Sequence, residues 1–174
     1  MPLRPAVSEK DHVQGNPDAA IELVQYGDYE CPYCWKAYPI VKRLQASLGD
    51  HLKFVFRNFP LTKVHPHAKM ASLASEAAAL QNKFWEMHDL LYERHKDLRY
   101  EAILSYAKEL NLDLDLFETD IKKTELEEKV DTDFLGGLRS GVNATPTFFI
   151  NGEKYTESWE EDNLLQYIWT SNLV

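Results

Sequence analysis

A strand must hand over to a helix at residues 27 to 32 of this chain, and the chain must re-enter the same sheet from residue 52. The stretch "AIELVQYG" sets Ile21, Leu23 and Gln25 on one side and Glu22, Val24 and Tyr26 on the other, the alternation of a strand. Gly27 and Asp28 end it. Then Trp35, Tyr38, Val41, Leu44 and Leu48 recur at helical spacing. Pro32 suits the first turn, where a missing N–H costs nothing. Pro39 falls inside the pattern and predicts a kink; Gly49 stops the helix. "LKFVFRNFP" is a second strand, rich in Phe and Val, that ends at Pro60. Strand, helix and strand within about 40 residues make a βαβ unit, which implies a parallel pair.

Further on the period changes. Residues 66 to about 139 read as helical throughout. "HAKMASLASEAAALQ" is rich in alanine, the best helix former. "FWEMHDLLYERH" puts Phe84, His88, Leu91 and His95 on one stripe, and "EAILSYAKEL" gathers Ile103, Tyr106, Ala107 and Leu110. "LDLFETDI" fits a short helix. "TELEEKVDTDFLGGLRSG" opens with Thr124 and Glu127 in capping-box register. "TPTFFINGEKY" returns to strand and carries Asn151-Gly152, a hairpin signal. Ser158 and Glu161, again in capping-box register, open a last helix with Leu164, Leu165, Ile168 and Trp169. Residues 1 to 19, with Pro2, Pro5, Gly15 and Pro17, read as a loose lead-in.

The 174 residues suit one domain with an insertion. A formal net charge of −9 repels phosphate backbones and anionic headgroups, and no run of Lys and Arg offsets it, so no nucleic-acid partner is expected. No stretch approaches the roughly 20 apolar residues of a membrane helix, so no membrane partner is expected either. "MPLRPAVSEKDHVQGNPDAA" has no apolar core of a signal peptide, and the expectation is a cytoplasmic protein. His88 and the four tryptophans, Trp35, Trp85, Trp159 and Trp169, read as packing residues, and the acidic residues between 113 and 133 as a solvated helix face.

The two cysteines, Cys31 and Cys34, stand at the handover, in "GDYECPYCWKAYP". A disulfide stabilises by closing a loop, and a two-residue loop offers little of that. Redox chemistry and zinc remain. Zinc needs about four ligands. The pair supplies two and His65 with His67 in "HPH" could supply two more, but a zinc knuckle prefers a tight turn to the junction of a buried strand and a long helix. For redox work the position is favourable. Cys31 at a helix N-terminus meets unpaired N–H groups and the positive end of the dipole, which stabilise a thiolate. Its pKa is expected in the range of about 3.5–7.5. Cys34, one turn on and more buried, is placed to attack a mixed disulfide held by Cys31.

"CPYC" after an apolar strand, followed far downstream by "GVNATPTFFINGEKY", resembles the thioredoxin superfamily. The helical stretch between the two strand-bearing parts resembles its DsbA branch of thiol-disulfide oxidoreductases, over residues 20 to 174. The resemblance implies an α/β thioredoxin fold, βαβ then ββα around a mixed sheet. Residues 20–64 and 142–174 would form it, with 65–141 as a helical insertion domain. It also implies a cis Pro146 against the cysteine pair and a Thr145 that offers backbone groups to an extended substrate. Pro32 and Tyr33, between the cysteines, join them as substrate-contacting residues.

Two positions depart from that family. Gln25 stands where a buried acid often lies six residues before the first cysteine, so Glu22, Asp28 or water would have to move the resolving thiol's proton. The dipeptide between the cysteines is Pro-Tyr, as in glutaredoxins, where strongly oxidising DsbA-type proteins carry Pro-His. The expectation is therefore a cytoplasmic reductase or exchange catalyst. Its substrates are protein or small-molecule thiols and disulfides. It uses no metal and no organic cofactor, and an external system such as thioredoxin or glutathione recycles it. The alternatives are a glutathione-dependent transferase or isomerase on the same fold, against which the retained Cys34 argues, and a non-enzymatic redox sensor or binding domain.

Overall fold

The computed structural model describes residues 1–160 and 162–171. Five strands form one mixed sheet in the order β1 (His12–Gly15), β3 (Leu52–Asn58), β2 (Ile21–Gly27), β4 (Thr147–Ile150), β5 (Glu153–Lys154). The central β2 runs parallel to β3, with Leu23 opposite Phe54 and Gln25 opposite Phe56. It runs antiparallel to β4, with Tyr26 opposite Thr147. β1 and β5 add antiparallel edges. The crossover from β2 to β3 is α1 (Pro32–Leu48), one continuous helix through Pro39 that ends at Gly49 with φ +49°. The parallel pair expected of the βαβ unit is present.

β2 is buried on both faces because both of its side-chain rows are largely apolar. Ile21 and Leu23 join Phe54, Phe56 and Phe148 on the face covered by α1, through Val41, Leu44 and Leu48. Val24 and Tyr26 join Val55, Phe59 and Phe149 on the other. Between β3 and β4 lie α2 (Ala68–Ala79), α3 (Phe84–Glu93), α4 (Tyr100–Glu109), α5 (Leu114–Asp120) and α6 (Thr124–Arg139). Their buried residues, among them Ala71, Ala74, Met87 and Leu91, share one cluster with the α1 side of the sheet. The chain then forms β4, turns at Asn151-Gly152 (φ +49° and +80°), and continues through β5 to α7 (Asn163–Thr170). Those paired positive φ angles are what a two-residue hairpin needs.

Several expectations are corrected. The lead-in is not loose: His12–Gly15 pairs with β3 and covers what would be its open edge. The buried Arg57 holds it there. Its Nε donates to Asp11 Oδ1 at 2.7 Å and its Nη1 to Tyr26 Oη at 3.0 Å. Thr124 is the first residue inside α6 rather than its cap, because Lys123 takes the cap position after a tight turn from α5. The side-chain cap in this region is Asp113, whose Oδ1 accepts from Leu116 N at 3.0 Å. The acidic stretch is not wholly solvated, since Asp133 is buried, where its Oδ1 pairs with Lys129 Nζ at 2.7 Å. Trp169 is 55% exposed and does not pack. The Glu161 expected to cap with Ser158 lies outside the described residues.

At the end of β2, Gly27 is in close contact with its neighbours. A Cβ there would overlap the Phe56 ring and stand 2.8 Å from the Tyr92 hydroxyl. Both rings are buried and cannot swing into solvent. Gly27→Ala is therefore expected to lower stability by about 1–3 kcal/mol, read as a lower urea midpoint at an unchanged slope. An unchanged midpoint would show that β2 and Phe56 part without cost.

Candidate active site

β2 ends at Gly27, and four residues later Cys31 is the N-cap of α1, in extended conformation with φ −78° and ψ 122°. Asp28 shapes the turn. Its carbonyl accepts Cys31 N–H at 3.2 Å, and its own N–H donates to Cys34 Sγ at 3.5 Å. Its carboxylate accepts Glu30 N on Oδ1 at 2.8 Å and both Leu61 N and His65 Nδ1 on Oδ2, each at 2.8 Å. Pro32 takes the first helical position, and Cys34 follows one turn on, facing the core.

The far end of the chain closes on the pair. The Thr145–Pro146 peptide is cis, and the Cys31 thiol donates to the Thr145 carbonyl oxygen at 3.3 Å, across 114 residues of sequence. A thiolate cannot make that bond and must draw on other donors. They are present. The Cys34 thiol is the largest influence on Cys31. With the amides of Cys34 and Tyr33 it outweighs burial and lowers the pKa from 9.0 to about 5. Cys34 has no exposed surface, and burial pushes its thiol well above the ordinary value, helped by the charge on Cys31. Two thiols of the same type are thus set in opposite directions.

Of the other expected site residues, Pro32 and Tyr33 face solvent beside the pair, and Lys36 Nζ lies 5.4 Å from the centre of the Tyr33 ring. Gln25 is buried among Phe56 and Phe148, its Nε2 without a partner among the described residues. Glu22 points to the opposite face of β2 from Gln25 and pairs with Lys53 at 2.8 Å, so it is not near the sulfurs. His65 bonds to Asp28 rather than to a sulfur, and among the described residues no group of three or more His, Cys, Asp and Glu is placed to hold a metal ion. Trp35 is half-buried, its Nε1–H donating to Tyr29 O at 2.6 Å and its ring stacked on His95 at 4.1 Å.

Sequence reasoning missed two neighbours of the pair. Tyr92 of α3 is fully buried, and burial holds its pKa well above the ordinary value, with the charge of Cys34 adding to it. His65 was legible only as a zinc candidate or a helix start. Nothing in the sequence joins it to Asp28, 37 residues earlier.

A family model described as "Thioredoxin" matches residues 7–169. The chain belongs to the thioredoxin family. Within that family its fold is the DsbA-like one. A thioredoxin-like oxidoreductase from Silicibacter pomeroyi superposes with a TM-score of 0.84 at 23% identity, over 96% of this chain and 95% of that one. BdbD from Bacillus subtilis superposes at 0.82, also 23% identical, over 95% and 94%. In sequence the chain is 39% identical over 166 residues to a protein of Mycolicibacterium gilvum named Na(+)/H(+) antiporter NhaA 1. That alignment takes in 94% of this chain and 27% of the relative, so the chain spans about a quarter of the length of the curated relatives it matches. In this thioredoxin-family protein the CxxC pair occupies the strand-to-helix junction.

The Cys31 value fixes a pH dependence. Between pH 5 and 9 the folded, reduced protein has released a proton that the unfolded chain still holds. Stability of the reduced form therefore rises with pH across that window, by at most about 1.4 kcal/mol per pH unit, and is lost as pH falls toward 5. The disulfide form lacks this term. Iodoacetamide is expected to label Cys31 with a midpoint near pH 5 and to leave Cys34 unlabelled at neutral pH. The urea midpoint of the reduced form should rise relative to that of the oxidised form from pH 5 to pH 8. Faster labelling of Cys34 would overturn the assignment.

Proposed function

We propose that this protein is an enzyme of thiol-disulfide exchange in which Cys31 attacks and Cys34 resolves. The opposed setting of the two thiols carries the reading: one is a thiolate at neutral pH, at the helix start with 4% exposure, the other a protonated thiol with none, held in reserve. The Cys31 thiolate attacks one sulfur of a substrate disulfide, forms a mixed disulfide and expels the other half as a thiolate. Cys34 gives up its proton and attacks the Cys31 sulfur, releasing the remaining half. Two electrons pass to the substrate and the pair is left oxidised. An extended substrate would lie along Thr145 and Pro146, with Pro32 and Tyr33 at its side, and residues 65–141 would be the insertion domain that completes the wall.

We propose further that it acts as an exchange catalyst or reductase in the cytoplasm, returned to the dithiol by a thioredoxin- or glutathione-based system. The Pro-Tyr dipeptide supports this direction. A pKa of about 5 lies between about 7 for thioredoxin and about 3.5 for DsbA. Interpolated between those two proteins, the potential is expected at about −180 mV, against about −270 mV for thioredoxin and about −120 mV for DsbA. A measured value at or above that of DsbA would make the protein an oxidase instead. A glutathione-dependent transferase would not need Cys34, whose buried, held thiol favours the exchange reading. Sodium–proton exchange is not carried over from the relatives, since this chain spans 27% of the length of the one from Mycolicibacterium gilvum.

Cys34→Ser is expected to trap a mixed disulfide with substrate, and Cys31→Ser to trap none. The check is mass spectrometry of each variant after incubation with oxidised glutathione or insulin. A trapped adduct on Cys34 in the Cys31→Ser protein would reverse the roles.

A further inference from the structure

Asp28 is fully buried, and both of its main-chain polar groups face the cysteines. Its side chain, through Leu61 N and His65 Nδ1, ties that turn to the loop after β3. His65 reaches outward, with 18% of its side chain exposed, while the carboxylate it holds has no exposure at all. The main chain at residue 28 is thus braced from a segment more than thirty residues downstream.

We propose that the Asp28 main-chain N–H is the donor that holds the Cys34 sulfur as it becomes a thiolate in the resolving step, and that His65, through the Asp28 carboxylate, is the positioning residue that keeps this N–H on the sulfur. The proposal deepens the exchange reading and rests on it. A buried sulfur that must ionise needs a donor, because a donor to the charged form offsets the cost of burial. Gln25, at the level of the pair in β2, brings no carboxylate. The Asp28 N–H is aimed at Cys34 Sγ, but at 3.5 Å it is long, so a small shift of the turn would lose it. Four hydrogen bonds guard against that shift: the Cys31 N–H on the Asp28 carbonyl, and Glu30 N, Leu61 N and His65 Nδ1 on its carboxylate.

The step balances without a further reactant. The Cys34 sulfur forms a bond to the Cys31 sulfur as the Cys31–S–R bond breaks. The departing R–S⁻ leaves with the electron pair and takes up the proton that Cys34 released. The dithiol is oxidised and the substrate sulfur is reduced. The charged and titratable groups around Asp28 and Cys34 are Cys31 on α1, the Tyr92 hydroxyl from α3, Glu30 in the turn, whose Oε2 accepts His67 N at 2.6 Å, and His65 itself.

The test uses 5,5′-dithiobis(2-nitrobenzoate) on the reduced, full-length protein in stopped flow. The first thionitrobenzoate released reports attack by Cys31, and the second reports resolution by Cys34. His65→Ala is expected to slow the second phase about tenfold, the worth of one displaced donor to a charge, and to raise its pH midpoint by about one unit. The first phase should be unchanged. His65→Asn, whose amide nitrogen reaches the same carboxylate oxygen but carries no titratable proton, should restore the second phase. A native second phase in His65→Ala overturns the proposal. Equal slowing of both phases does so too, since it reports only a loosened fold. His65→Asn as slow as His65→Ala would overturn positioning in favour of proton carriage by the imidazole. Should His65→Ala not fold, Asp28→Asn keeps the main chain and weakens the bond to His65. It must slow the second phase alone, and a native second phase there also overturns the proposal. A wild-type protein with no second phase would instead sink the exchange reading itself.

Discussion

The structure depends on a central strand with no free side. β2 is hydrogen-bonded on one edge to β3 and on the other to β4, and apolar clusters cover both of its faces. A strand so enclosed has one outlet, its C-terminal end, where main-chain groups run out of ladder partners. Gly27 and Asp28 occupy that end. The sheet supplies one more bond there, from Phe59 N–H to Gly27 O at 2.8 Å, and beyond it Asp28 has to satisfy itself. It does so with the two cysteines and the loop after β3. The same enclosure that makes β2 stable delivers α1 at a fixed place, with its N-terminus beside the Thr145–Pro146 loop.

At that place two thiols three residues apart meet different surroundings. Cys31 has the amides of the first helical turn and the Cys34 thiol as donors; Cys34 has the core. Helix-terminus donors and burial act on the same kind of group with opposite sign, because the first stabilises a negative charge and the second penalises it. No acid, metal or cation is required to separate the two values. A reactive and a reserved sulfur follow from where a helix begins and which way its first turn faces.

How much of this was legible in the sequence depended on distance along the chain. The βαβ unit, the helical run after Pro66 and the Asn151-Gly152 turn are local patterns, and each is where the pattern put it. The opposed surroundings of Cys31 and Cys34 were legible because helix-end electrostatics is local as well. The short β1 was not, since "HVQG" has no apolar alternation and becomes a strand only by pairing with the edge of β3. The burial of Asp133 was hidden because one of its partners lies on a distant element: Asn58 N–H of β3 donates to its Oδ2 at 3.1 Å. The bond between His65 and Asp28 was hidden for the same reason. A histidine next to a proline before an alanine-rich helix looks like the start of that helix, and only the folded loop brings its ring to the carboxylate.

The helical stretch is more than an addition to the sheet's edge. Cys34 keeps its proton because water is excluded from it, and α1 alone does not exclude water from the end of β2. α3 does the rest: Tyr92 stands over Gly27, close enough that a methyl group there would meet its hydroxyl, and stacks with Tyr38 of α1 at 5.4 Å. Tyr29, from the turn itself, packs against Tyr92 at 4.8 Å and hydrogen-bonds His88 of α3 at 3.0 Å. Remove those rings and the Cys34 sulfur gains solvent, its pKa falls toward the ordinary thiol value, and the difference between the two sulfurs shrinks. The asymmetry that exchange requires is therefore set by two parts of the chain acting together, the helix start that lowers one thiol and the aromatic wall of α3 that raises the other.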